Sequence, residues 1–259
     1  MRVLFIGDVV GGPGRRGLKG AMPELRERFQ PDLTIVNGEN SAGGIGITPK
    51  TAAALFEIGC DVITTGNHVY RHREAYQLLD DNDRVIRPAN YPHANPGRGH
   101  TVVEADGMRV AVINLSGAVG LTVARSPFHE VDSILESIDA DCAIVDFHAE
   151  VTSEKVAMGW HLDGRVAAVF GTHTHVPTAD ARVLPGGTAF ISDVGMTGSR
   201  TSVLGVKPEQ ALEALISQMP VRFETAEDDI WVMGAAVEVN ANGLADSIQQ
   251  VMTPAPIPS

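Results

Sequence analysis

The chain has 259 residues, 44% of them apolar and 20% charged, with a formal net charge of −12 from 20 basic and 32 acidic side chains. That composition is ordinary for a globular protein, and the length accommodates one large domain with a full core or two small ones. The negative charge repels nucleic-acid backbones at long range and excludes a DNA-coating role, yet it leaves room for a small phosphate substrate where bound metal ions reverse the local potential.

No stretch approaches the roughly 18 apolar residues of a membrane span. The opening residues 1–6 run straight into Gly7-Asp8 without a cleavage pattern, so they read as a first strand and not as a signal peptide. Cys60 and Cys142 each fall close to the start of a predicted strand. They read as reduced core residues of a cytoplasmic protein.

In chain order, residues 2–7 predict a strand, 17–30 a helix and 33–37 a second strand. A glycine-rich loop then leads to a helix over 49–58, with Thr48 and Pro49 as its N-cap and first residue. Residues 61–64 predict a third strand and 74–80 a short helix, a rhythm that argues for a parallel sheet covered on both faces. Around Asp106-Gly107, residues 101–105 and 108–114 predict an antiparallel hairpin. A helix near 131–138, a strand at 142–147, a helix near 152–160 and a strand at 166–170 follow. Two further hairpins pair 181–183 with 188–191 and 231–239 with 244–252. No repeat or linker divides the chain, so residues 1–252 read as one mixed α/β domain and 253–259 as a proline-rich tail that frays.

The predicted strands end in Gly7-Asp8, Asn37-Gly38-Glu39-Asn40, Thr65-Gly66-Asn67-His68, Phe147-His148 and Gly171-Thr172-His173-Thr174-His175. In a parallel sheet the carboxyl ends lie along one edge, so these loops converge. Each piece alone has a plain reading as a cap, a turn former or a satisfied polar residue; their coincidence at five strand ends does not. Carboxylates with imidazoles suit borderline divalent ions such as Mn, Fe or Zn, and the absence of cysteine argues against a structural zinc site. The donors are too numerous for one ion with an open position, whereas two ions bridged by a carboxylate would use them.

A competing motif is Gly12-Pro13-Gly14-Arg15-Arg16-Gly17, which fits the G-x-G-x-x-G dinucleotide pattern, with Glu39 at the end of the second strand. Residues 8–11 separate it from the strand, however, and Asp8 would face the pyrophosphate. Its proline also removes a backbone donor, and the motif gives the histidines no task.

The order of Gly7-Asp8, Gly66-Asn67-His68, His148 and Gly171-x-His173-x-His175 resembles that of the calcineurin-like metallophosphoesterases. Residues 1–11, 36–40 and 87–92, together with the 192–198 loop, are similar to the YmdB-like bacterial branch over nearly the whole chain. The resemblance implies a layered α/β fold with mixed central sheets flanked by helices and the metal site at strand carboxyl ends. It implies one ion held by Asp8, Asn40 and His175, another by Asn67, His148 and His173, and Glu39 bridging them. Two positions depart from the broader pattern. Val10 stands where a first-strand histidine is usual, and Glu39 stands where an aspartate bridges. The branch shares both changes, and it is associated with iron or manganese pairs, with zinc as an alternative, and with hydrolysis of phosphodiesters including 2′,3′-cyclic nucleotides.

Two ions about 3.5–4 Å apart can share a hydroxide and clamp phosphoryl oxygens for in-line attack. His68, beside Asn67 but without an assigned metal, is the expected general acid or hydrogen-bond donor to the leaving oxygen. Asn90, Tyr91 and Arg200 are the candidate substrate contacts. The expected protein is therefore a cytoplasmic phosphodiesterase without a membrane or bulk nucleic-acid partner, and compatible with a homo-oligomer. A broader phosphatase or nuclease, and a metal-containing nucleotide sensor with little turnover, stay open at this stage.

Overall fold

The structure, a computed structural model, describes residues 1–256. The first part of the chain forms β1 (Arg2–Ile6), β2 (Asp8–Val9), α1 (Gly11–Phe29), β3 (Leu33–Asn37), α2 (Pro49–Ile58), β4 (Val62–Thr64) and α3 (Glu74–Asp81). The middle forms β5 (His100–Ala105), β6 (Met108–Ser116), α4 (Pro127–Ser137), β7 (Cys142–His148), α5 (Thr152–Leu162) and β8 (Ala168–Thr172). The last part adds β9 (Arg182–Val183), β10 (Ala189–Ile191), β11 (Met196–Ser199), α6 (Pro208–Ser217), β12 (Ile230–Val239) and β13 (Ala245–Pro254).

These strands make two sheets. One has the order β2-β11-β12-β1-β3-β4 with β13 added on β12, and the other the order β5-β6-β7-β8-β10-β9. Within them β1, β3 and β4 run parallel, as do β6, β7, β8 and β10. Strand alternation explains how they stack. Val3 and Phe5 of β1 join Ile144 of β7 and Phe170 of β8 in a core between the sheets, with the Phe5 and Phe170 rings stacked at 4.5 Å. Leu4 and Ile6 point the other way, onto Leu18 and Leu25 of α1 and Leu55 of α2. Val145 and Val169 similarly face Val131 of α4 and Met158 of α5. The result is four layers, helix–sheet–sheet–helix, in which the central strands are buried on both faces.

This is the layered α/β fold with mixed central sheets that the resemblance implies, and it replaces the one parallel edge on which the strand-end argument placed all five loops. The strand ends of interest come from two sheets, β1, β3 and β4 on one side and β7 and β8 on the other. A strand buried on both faces is apolar throughout, so its pattern does not report which sheet it joins. The start of α1 also moves, from residue 17 to Gly11. Pro13 is tolerated there because first-turn amides have no partner within the helix. Gly14 lets the helix lie against β11, since a Cβ there would collide with the Thr197 carbonyl. The glycine motif thus serves close helix–sheet packing.

Three elements, β2, β11 and α6, have no counterpart in the predicted set. The tail also departs from expectation, because Thr253 and Pro254 continue β13 and the Ala255 amide donates to the Ile230 carbonyl. Pro254 sits at the end of the strand, where a missing donor is tolerated. Residues 257–259 lie outside the described residues. No helix among the described residues is long and apolar enough to cross a membrane.

Candidate metal centre

Asp8 follows Gly7, which must be glycine: a Cβ there would strike the Gly195 carbonyl. That close approach lets β2 pair with β11, Asp8 opposite Met196, and turns a wholly buried carboxylate toward the seam between the sheets. Across the seam, Asn37 at the end of β3 donates to Asp146 of β7 at 2.9 Å, and Glu39 Oε1 lies 3.2 Å from His148 Nε2. The carboxyl ends of both sheets therefore open to the same place.

The hydrogen-bond pattern fixes the histidine tautomers. The Thr172 hydroxyl donates to Asp146 Oδ1 at 2.7 Å, so it accepts from His148 Nδ1 at 2.8 Å. In the neutral ring, His148 Nε2 is then the lone pair. His173 Nε2 donates to Glu150 Oε2 at 2.8 Å, which leaves its Nδ1 as a lone pair as well. These two nitrogens lie 3.1 Å apart, with Asn67 Oδ1 at 2.9 Å and Glu39 Oε1 at 3.2 Å from His148 Nε2. Four acceptor atoms converge on one point. One ring proton cannot serve all of them, whereas a cation can.

A second set adjoins the first. His175 Nδ1 donates to the Leu204 carbonyl at 3.0 Å, so Nε2 faces inward, 3.7 Å from Asp8 Oδ1. Asp8 Oδ1 is buried without a hydrogen-bond partner, a cost a bound cation would remove. Asn40 completes this set, with its amide nitrogen 3.1 Å from His175 Nε2 and its oxygen 3.1 Å from His68 Nδ1. Presenting the oxygen to an ion takes the flipped amide, which has the same shape. Gly66 keeps the pocket open, because a Cβ there would fill the space beside His148 Nε2 and Glu39 Oε2. The donor chemistry and the cradle both fit divalent metal.

Electrostatics agree. Burial would pull the His148 imidazole down, but the Glu39 and Asp8 carboxylates push it up to about 9, so this point stabilises positive charge. Burial would likewise raise Glu39, but His148 and His68 hold it well below the usual carboxylate range. Asp8 is raised chiefly by burial, against the pull of His175 and His148. His173 is lowered, first by burial and then by His148.

His68 is tethered at the rim. Its backbone amide donates to Glu39 Oε2 at 3.0 Å and its Nδ1 lies 3.3 Å from Glu39 Oε1, while 34% of the side chain stays open to solvent. The proposed substrate contacts are placed differently. Asn90 is wholly buried, with its amide donating to the Ser116 and Arg125 carbonyls and its oxygen accepting from the Ser116 amide. Tyr91 is 8% exposed and packs near the Tyr70 ring. The Arg200 guanidinium lies over the Trp231 indole at 4.3 Å, at the outer end of β11. All three therefore have structural partners, and the cluster's hydrogen bonds run through other residues.

Sequence reasoning missed the supports. Asp146 is wholly buried and raised to about 6 by that burial, and it accepts from Thr172, Asn37 and Thr64. A carboxylate inside the apolar run 142–147 was the available signal. His173 and His175 both adopt left-handed backbone, at φ 93° and 66°, a conformation strained for non-glycine residues. Thr174 between them donates to Asp193 Oδ2 through its amide at 3.2 Å and its hydroxyl at 2.6 Å. Lys155, itself buried, pairs with that oxygen at 2.7 Å. Nothing in the sequence spacing announces this grip.

Two face-to-face sheets thus gather carboxylate, amide and imidazole donors at their shared end, an arrangement able to hold divalent metal. The match to known proteins is more particular. A family described as YmdB-like protein matches residues 4–251, and the chain belongs to it. A Bacillus subtilis (strain 168) protein named 2′,3′-cyclic-nucleotide 2′-phosphodiesterase is 46% identical over 242 residues, 93% of this chain and 92% of that protein. A solved structure of a hypothetical protein from Thermus thermophilus matches with a TM-score of 0.93 at 40% identity, over 99% of this chain and 100% of that one. The structure of a novel phosphatase from Mycoplasma pneumoniae also reaches 0.93, at 34% identity, over 100% of this chain and 95% of that one.

Proposed function

We propose that the chain is a dinuclear metal-dependent phosphodiesterase whose substrates are small phosphodiesters, 2′,3′-cyclic nucleotides first among them. The observation that carries the dinuclear reading is the convergence of lone-pair donors into two adjoining sets that share Glu39. Asp8, Asn40 and His175 would hold one ion and Asn67, His148 and His173 the other. Mixed oxygen and imidazole donors suit iron or manganese, with zinc as the alternative. The substrate class rests on the relative in Bacillus subtilis. Cytoplasmic location is part of the same proposal, supported by two buried free cysteines, the state a reducing compartment maintains.

When bound, the ions supply Lewis acidity to the phosphoryl oxygens and lower the pKa of the attacking water. The chain's own residues do the positioning. Glu39 fixes the His68 ring through Nδ1. With Nδ1–H held by Glu39, it is the doubly protonated ring whose other nitrogen would donate to the departing ribose oxygen. Thr172 and Asp146 orient His148 from behind, and Glu150 orients His173.

The test pairs metal analysis of the purified protein with hydrolysis of 2′,3′-cAMP and bis-p-nitrophenyl phosphate. About two Fe or Mn per chain and cleavage abolished by chelator are expected. Two metals without turnover on a wide diester panel would turn the reading to a nucleotide sensor. No metal uptake by folded protein would sink it. His68→Ala should keep both metals while kcat on 2′,3′-cAMP falls by about 10²–10⁴-fold, and fall less on a diester whose leaving group needs no proton. Equal losses on both substrates would remove His68 from the acid's role.

A further inference from the structure

Between β6 and α4 the chain runs Gly117-Ala118-Val119-Gly120-Leu121-Thr122-Val123-Ala124, a stretch without a charged side chain in a protein of net charge −12. Strand β6 is parallel to β7, with Ser116 opposite His148, so this segment leaves its sheet at the edge that holds the metal centre. The Gly117 amide donates to the His148 carbonyl at 2.9 Å. Gly120 adopts left-handed backbone at φ 81°, and a Cβ there would lie 3.5 Å from the side chain of Glu150, the partner of His173. Val123 packs on the core cluster that contains Tyr91 and Val69, the residue after His68. The segment thus runs from the His148 and His173 side of the centre toward the His68 side.

One carboxylate holds it. Glu154 of α5 is only 8% exposed, and its oxygens accept from the Ala118 amide at 2.8 Å and the Val119 amide at 3.3 Å. A buried acid is costly unless its lone pairs are filled, and here two amides of a solvent-facing segment fill them. Ala118, Val119 and Gly120 are all exposed, so packing alone does not fix their path. Beyond the anchored pair, the amides of Gly120, Leu121, Thr122 and Val123 have no protein acceptor among the described residues.

We propose that residues 118–123 form the wall of the metal centre that receives the nucleoside of the substrate, with Glu154 as the positioning residue that sets it. The inference rests on the phosphodiesterase reading above and names what recognises the substrate beyond its phosphate. Chemistry selects the nucleoside. The ions take the phosphate, so a wall without acids approaches the substrate anion without repelling it. Val119 offers an apolar face to a base, and the open amides offer donors to base and ribose acceptors, the mixture typical of a small-molecule site. His68, which donates to the ribose oxygen, stands toward the far end of the same segment.

Two measurements on the full-length, metal-loaded protein test this. The first needs no turnover. 3′-AMP should slow amide hydrogen exchange in 118–123 more than inorganic phosphate does, and Glu154→Ala should remove the difference. Equal protection by the two ligands, or none by either, would overturn the inference. The second is kinetic. Val119→Asp should raise KM for 2′,3′-cAMP about tenfold more than KM for methyl p-nitrophenyl phosphate, which carries no nucleoside, the scale of one pocket contact. Glu154→Ala should show the same split, and Glu154→Gln, which keeps one acceptor, a smaller one. Equal changes on both diesters, with metal content kept, would also overturn the inference. If the wild type cleaves neither diester, the phosphodiesterase reading fails, while the exchange comparison still decides this one.

Discussion

Replacing Glu39 by Ala is expected to lower bound metal below one ion per chain and to reduce kcat/KM for a diester by at least about 10³-fold, the scale of removing a group that holds the reacting ions. The reason is its fourfold use. Glu39 Oε1 approaches His148 Nε2, His68 Nδ1 and the Asn40 amide at 3.2, 3.3 and 3.2 Å, and Oε2 holds the His68 backbone amide at 3.0 Å. The carboxylate is wholly buried and stays ionised because His148 and His68 outweigh the cost of burial. Glu39→Gln keeps the volume and removes the charge, so it separates coordination from packing. If Gln restores the melting temperature but not the metal, the carboxylate acts as a ligand. Full metal content and near wild-type turnover in Glu39→Gln would remove it from the bridging position.

Lys155→Met should cost about 3–5 kcal/mol of stability, because Asp193 is left buried and without its cation. For a chain of this size that is a melting temperature lower by roughly 6–20 °C. A second variant separates stability from site geometry. Lys155→Met with Asp193→Leu replaces the buried pair by apolar groups, a change that is often neutral for folding. It also deprives Thr174 of both its bonds to Asp193, on which the left-handed backbone of His173 and His175 depends. The double variant should therefore melt above Lys155→Met, though below the wild type because the Thr174 and Gly195 amides lose their acceptor, and bind metal about 10–100-fold more weakly, as lost outer support does elsewhere. Wild-type metal affinity in that variant would show that the histidine loop holds its own conformation.

The contrast between these two residues shows what was legible in the sequence. Glu39 is adjacent to a clear strand and part of a set of donors at strand ends, so its place among them was legible in residue type and order along the chain. Asp193 and Lys155 lie 38 positions apart on elements whose pairing no local pattern reports. Helix α6 was missed for a related reason: its apolar stripe is short and faces outward, so it did not join the core pattern. Asn90 and Tyr91 show the opposite case, residues whose packing the sequence did not report. They are polar or aromatic residues near a strand end, but the fold uses Asn90 to tie residues 116 and 125 together and Tyr91 to fill the helix-side core.

By itself the sequence determined the local elements and the donor set: strands β3 and β6–β8, the capped helix α2, and the acids, amides and histidines that follow strand ends. Those depend on hydrophobic period, turn chemistry and residue type, all of which act over a few positions. Only the tertiary structure decided that the donors come from two sheets, which nitrogen of each histidine faces the centre, and that Asp193 grips the loop between two of them. Such choices are made by contacts between segments far apart in the chain. There a buried polar group takes whichever partner the packing brings within hydrogen-bond reach, and no short pattern records it.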